Sequence, residues 1–208
     1  MEHTLIPREE LEVFRALPNI SVVFDVGARA DTDYWELKSG AIVHAFEPNP
    51  AFFMQLEDRV EEMGFADRAI LNCCGLGDEQ GEFFYNDAVQ GFDGGEAWTG
   101  ETPKKYPIQT LDWYVKENRI RQIDFLKIDV EGYDYKVLLG GKRMLPKCRF
   151  VQYEHWDNTE QYYKLLEKDF EMEYIGYRNV LCMNRKLTTR FERQELKALI
   201  YKNDYYKL

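Results

Sequence analysis

The chain has 208 residues, 45% of them hydrophobic and 15% aromatic, which suits one domain with a sizeable core and excludes a disordered chain or a coiled coil. A formal net charge of -10 argues against a nucleic-acid partner, and the basic clusters, Lys104–Lys105 and Lys142, Arg143 and Lys147, read as solvated surface. No apolar run nears the roughly 18 residues that span a bilayer, the start at Met1 lacks a leader pattern, and four cysteines without a C-x-x-C pair read as buried thiols; the expectation is a soluble cytoplasmic protein without membrane insertion or structural zinc.

Leu11, Phe14 and Leu17 share helical spacing after Pro7, so residues 1–19 read as a helical extension packed on the core of a single domain, residues 1–208. Ser21 to Val26 is a short buried strand broken by Gly27, and Ala41 to Phe46 repeats the pattern before Pro48. Phe53, Leu56, Val60 and Met63 then fall on one helical face. Ala69 to Cys73 is a third strand and Glu82 to Tyr85 a short extra one. Residues 86–106 hold four glycines and little periodicity, which predicts a long substrate or lid loop. Thr110 caps a helix to about Glu117, Phe125 to Ile128 is a buried strand, Tyr135 to Met144 a helix ending near Pro146, and Phe150 to Tyr153 another strand. Asn158 and Gln161 resemble a capping box for a helix to Lys168. Glu171 to Ile175 and Val180 to Asn184 pair around a turn near Gly176, ahead of a final helix from about Phe191 to Tyr201. Alternating strands and helices predict an α/β fold, a mostly parallel sheet with helices on both faces and an antiparallel pair at one edge.

In such sheets ligands bind beyond the carboxyl ends of the strands, where strand order reverses. After the first strand comes Asp25-Val26-Gly27-Ala28-Arg29-Ala30-Asp31, in which Gly27 permits close backbone approach and Asp25 or Asp31 could accept from an ammonium group. Two carboxylates there would repel a pyrophosphate and tolerate a zwitterionic tail, which favours S-adenosylmethionine over NAD; the full G-x-G-x-x-G pattern is absent as well. The second strand ends in Glu47-Pro48-Asn49-Pro50, with Glu47 20 residues after Gly27, about the separation at which a carboxylate binds ribose hydroxyls.

Phe24-Asp25-Val26-Gly27-Ala28, His44-Ala45-Phe46-Glu47-Pro48-Asn49-Pro50, Gly75-Leu76-Gly77-Asp78, Thr110-Leu111-Asp112 and Phe125-Leu126-Lys127-Ile128-Asp129-Val130-Glu131-Gly132-Tyr133 occur in that order. Together they resemble the successive signatures of FkbM-type methyltransferases, from about residue 20 to about residue 155. The resemblance implies a Rossmann-like, seven-stranded class I methyltransferase fold, S-adenosyl-L-methionine as donor with S-adenosyl-L-homocysteine as product, and O-methylation, often of sugars or polyketide-like natural products. It implies that Asp25, Gly27 and Ala28 line the methionine side, Glu47, with Pro48 and Asn49, the ribose, and Asn72 to Asp78, including Cys74 and Gly75, the adenine. Asp31 stands where the family usually has a second glycine, which leaves the contacts of Asp31 and Thr32 open.

Methyl transfer to a hydroxyl needs in-line positioning and a base for the departing proton. Asp129 and Glu131 follow the fourth strand of the predicted sheet and Glu154 and His155 the fifth, which brings all four to one rim. His155 or Asp129 is the candidate base, with Glu131 and Glu154 holding the acceptor. The same carboxylates and histidine could instead hold a divalent metal, which is not the favoured reading, or Asp129 and Glu131 could simply cap the next helix. Phe92, Trp98, Tyr106, Tyr133 and Trp156 offer an apolar platform, with Gln90, Asp93, Glu96 and Asn158 as polar neighbours, for a sugar or glycan acceptor. A non-sugar small-molecule acceptor and a non-catalytic binding module are the competing readings.

Overall fold

The structure is a computed structural model that describes residues 8–30, 33–38, 40–85, 104–155, 159–176 and 178–204. A seven-stranded sheet is built from β1 (Val22–Val26), β2 (Ile42–Phe46), β3 (Ala69–Asn72), β7 (Ile123–Ile128), β8 (Cys148–Glu154), β9 (Phe170–Tyr174) and β10 (Asn179–Asn184), in the order β3-β2-β1-β7-β8-β10-β9. All neighbours from β3 to β8 pair in parallel, while β10 runs antiparallel to both β8 and β9. The chain lays strands outward on one side of β1 and then crosses to the other side, so the reversal lies between β1 and β7.

Strand alternation sorts the apolar side chains into two cores. Phe24, Val26 and Phe46 join Leu126, Ile128, Val151 and Tyr153 on one face, beneath α4 (Leu111–Glu117), α5 (Asp134–Gly140) and α6 (Thr159–Leu166). Val23, Val43, Phe125 and Phe150 face the other way, beneath α1 (Arg8–Ala16), α2 (Asp33–Glu36), α3 (Pro50–Glu62) and α7 (Arg190–Lys202). His44 is buried in the first core, stacked on Phe24 with its Nδ1 2.8 Å from the Tyr114 hydroxyl, and burial drives its pKa down to about 4.

A second sheet of three strands, absent from the sequence reading, orders β4 (Gly75–Leu76), β6 (Lys104–Gln109) and β5 (Gly81–Tyr85) as β4-β6-β5. Residues 104–106 therefore belong to a strand and not to the predicted loop, and Tyr106, assigned to an open platform, is 5% exposed against Phe83. Residues 86–103 lie outside the described residues, as do Trp156, Asn158 and Asp31–Thr32. Paired lysines and Pro107 disguised β6, where proline is tolerated because β4 pairs only with Ile108 and Gln109.

Other departures have equally local causes. The strand predicted from Phe125 begins at Ile123, since the buried Asp124 accepts from the backbone amides of Ser21 and Val22 and so belongs in the sheet. The helix predicted to reach Met144 ends at Gly140, where a Cβ would stand 1.8 Å from the Gly77 carbonyl oxygen; a 3-10 turn over Leu145–Lys147 follows. A capping box is present at Thr189 and Glu192, which exchange bonds in both directions at the start of α7, while the one predicted at Asn158 begins outside the described residues. Cys148 and Cys182 are buried as predicted, whereas Cys73 is exposed and Cys74 half-buried. Among the described residues no helix is long and apolar enough to cross a membrane.

Candidate active site

The turn after β1 is fixed from two sides. Gly27 has φ +84°, and a Cβ on it would sit 2.0 Å from the Asp129 carbonyl oxygen, so glycine is required by the approach of another backbone stretch. The amides of Gly27 and Ala28 both donate to the Phe46 carbonyl, at 3.0 and 3.1 Å, which ties this turn to the end of β2. These donors are therefore consumed within the protein.

Glu47, the residue after β2, is 4% exposed. Its Oε2 accepts from the Arg29 amide at 3.0 Å and its Oε1 from the Asn49 amide at 2.8 Å. Burial pushes its pKa up, and the two amides and the Arg29 charge work against that rise. Each oxygen keeps a further acceptor site in a fixed direction. Asn49 in turn caps α3, its Oδ1 accepting from the Ala51 amide at 2.9 Å, with Pro50 at the first helical position.

A cleft opens at this point, lined by Gly27, Arg29, Glu47, Pro48, Phe52, Asp129, Val130 and Glu131, so the ends of β1, β2 and β7 meet around one space. The Arg29 guanidinium lies 4.9 Å from the Phe52 ring centroid. Arg29 and Glu131, at φ +50° and +53°, are left-handed non-glycine residues that both line the cleft, a strained conformation that collects at functional sites.

Of the other residues singled out from the sequence, Asp25 lies beneath the cleft and not in its wall. It is 2% exposed, its Oδ2 accepts from the Trp35 indole at 3.1 Å, and its Oδ1 is 3.3 Å from the Lys127 ammonium. Lys127, the register partner of Asp25 on β7, also stands 3.4 Å from Asp129 Oδ2. This buried cation was missed by the sequence reading, although a lysine inside Phe-Leu-Lys-Ile was the available signal. Cys74, Gly75 and Asp78 do not line the cleft. The Cys74 thiol contacts Gln109 at 2.9 Å with its pKa raised by burial to about 11, Gly75 faces the Phe83 ring, and Asp78 pairs with Lys136 at 2.7 Å. Tyr133 stacks towards Phe83, on the side of the small sheet.

Glu154 ends β8 and His155 follows it, both half-buried. The His155 amide donates to the Arg178 carbonyl at 3.1 Å, its ring meets Tyr174 edge-on, and its Nε2 is enclosed with no partner among the described residues. Burial, and then the Arg178 charge, lower its pKa. The Arg178 guanidinium is 4.0 Å from Glu154 and also acts on Glu131, whose own pKa is raised by burial and by Asp129. Arg178 thus links the Asp129–Glu131 wall to the Glu154–His155 rim, and nothing in the sequence pointed to it. No group of three or more His, Cys, Asp or Glu side chains among the described residues is arranged to hold a metal ion, so the four rim residues are not gathered as a ligand cluster.

The model of the methyltransferase FkbM domain matches residues 25–179, well over half of the chain. The chain belongs to the FkbM methyltransferase family. Two relatives are the 2-O-methyltransferase NoeI of Sinorhizobium fredii, 26% identical over 73% of this chain and 72% of that protein, and the hexuronic acid methyltransferase AglP of Haloferax volcanii, 29% identical over 69% and 61% respectively. The fold is similar to that of M. capricolum TrmK solved with S-adenosyl-homocysteine, with a TM-score of 0.56 at 14% identity, covering 94% of this chain and 75% of that one. As a member of the FkbM family the protein is a methyltransferase with a Rossmann-like, mostly parallel sheet.

Proposed function

We propose that this FkbM methyltransferase uses S-adenosylmethionine to methylate a hydroxyl oxygen of a sugar or glycan. The observation that carries the reading is Glu47, a buried carboxylate whose two oxygens are aimed by the Arg29 and Asn49 amides into the cleft at the strand reversal. Such a carboxylate suits the vicinal hydroxyls of a ribose. Gly27 and Pro48 offer close, side-chain-poor walls beside it, and Phe52 an aromatic one. The relatives that act on a 2-oxygen and on a hexuronic acid support a sugar acceptor.

When bound, S-adenosylmethionine supplies a methyl group already activated by its sulfonium. The residues of this chain then have two tasks, to hold the acceptor oxygen in line and to take its proton as the new C–O bond forms. Asp129 borders the cleft with its carboxylate held by Lys127. Lys127 orients Asp129 while itself anchored by Asp25, so Asp25 serves the site through Lys127. His155, whose pKa is lowered, carries a ring nitrogen without a hydrogen-bond partner among the described residues, the candidate to receive the proton. Glu131 and Glu154, the latter paired with Arg178, present acceptors for the remaining sugar hydroxyls.

Calorimetry with S-adenosylhomocysteine, followed by transfer of labelled methyl to a panel of glycans, tests the proposal. Binding and transfer to a sugar hydroxyl are expected. Absence of binding by the purified protein, with Glu47→Ala behaving as the wild type, would overturn it.

A further inference from the structure

Asp134, the first residue of α5, is fully buried and was not among the residues the sequence singled out. Its Oδ1 accepts from the Glu154 amide at 3.0 Å, across 20 residues of chain, and its Oδ2 is enclosed with no partner among the described residues. The position of that bond explains its use. Strands β7 and β8 pair in parallel as far as Ile128 and Tyr153, and Glu154 is the last residue of β8. Successive amides of a strand point to opposite neighbours. Since His155 donates to Arg178 on the β10 side, the Glu154 amide points to the β7 side, at the last rung of the β7–β8 ladder. Asp134 accepts from it there.

We infer that Asp134 is a positioning residue for methyl transfer, holding Glu154 and His155 against the Asp129–Tyr133 turn so that both sides of the rim face one acceptor hydroxyl. The inference rests on the proposed reading of the rim. A structural carboxyl chosen only for packing is poorly accounted for here, since a buried acid with one unpartnered oxygen costs stability that an apolar side chain would not. Burial and the neighbouring Asp129 and Glu154 carboxylates favour its neutral form, and the adjacent Tyr153 and Tyr162 hydroxyls bring no cation. An asparagine reproduces that neutral shape and its acceptor oxygen.

The test compares Asp134→Asn, Asp134→Ser and Asp134→Ala in the full chain. The expectation is that Asn keeps kcat within about threefold of wild type while Ala and Ser lower it roughly 10- to 100-fold, as misplacement of a reacting group by about 1 Å does. S-adenosylhomocysteine affinity should stay within about twofold in all three, because Glu47 and Gly27 are untouched. Hydrogen exchange at the Glu154 amide gives a readout independent of activity, with protection kept in Asn and lost in Ser and Ala. If Ala does not fold, Asn and Ser decide the matter. The inference is overturned if Ser retains wild-type kcat, if Asn is as impaired as Ser, or if Glu154 protection does not follow the acceptor oxygen. A wild-type protein that binds S-adenosylhomocysteine and methylates no sugar would defeat the sugar reading alone, and Glu154 exchange would still decide the placement of Asp134.

Discussion

Lys127 shows how much of this site depends on a single buried charge. Its ammonium is the cation between Asp25 and Asp129, with side-chain exposure of 8%. Removing one member of a buried pair leaves the others uncompensated, so Lys127→Met is expected to cost about 3–5 kcal/mol in denaturant unfolding and to abolish transfer. Glu47→Gln keeps the packing but loses the charge that a ribose diol favours, and calorimetry should show S-adenosylhomocysteine binding weakened by about tenfold or more. His155 titrates below its ordinary value of 6.5, and only the neutral ring can take a proton. The acid limb of kcat against pH is therefore expected below 6.5, and Arg178→Gln, by removing a cation that opposes protonation, should move that limb upward. For Asp134 the sign is opposite to that of a surface carboxylate. Its folded pKa is raised, so its stabilising contribution is full below the ordinary aspartate range and declines as pH rises through the folded value. The melting temperature of wild type should accordingly fall behind that of Asp134→Asn as pH increases from about 4 towards 8.

At the scale of elements, glycines decide where the backbone can pass. Gly27→Ala must meet the Asp129 carbonyl at 2.0 Å from a left-handed φ, and Gly140→Ala the Gly77 carbonyl at 1.8 Å. Each is expected to destabilise the fold by about 3 kcal/mol or more, read as loss of the cooperative thermal transition. The strands of the main sheet were legible because apolar runs such as Val22–Val26 and Ile42–Phe46 are short, β-rich and closed by Gly27 or Pro48. Glu47 was legible for the same reason, since its place after a strand could be counted. What escaped detection was whatever depends on a distant partner. Asp124 and Arg149 look like surface residues until Ser21, Pro18 and Glu192 are brought to them. Likewise β6 is recognisable only once β5 lies beside it, and Arg178 gains meaning only when the β9–β10 hairpin folds over the end of β8.

Across the whole molecule, two apolar cores hold one sheet between two helical layers, and a buried acid from each layer steadies the β8–β10 half. From one side Glu10 of α1 bonds Gln152 on β8 and Asn179 on β10, at 2.5 and 2.7 Å; from the other Asp134 takes the Glu154 amide. Glu10→Ala is expected to lower stability by about 1–3 kcal/mol and to loosen β10 first, visible as faster exchange of its amides. The strand reversal has a further consequence. In the proposed reading the donor pocket rests on β1, β2 and the end of β7, whereas Glu154 and Arg178, which would face the acceptor, stand on β8 and beside its antiparallel neighbour. On that reading the choice of oxygen falls to the hairpin after α6 and the nucleoside grip does not, much as one tool handle serves interchangeable heads.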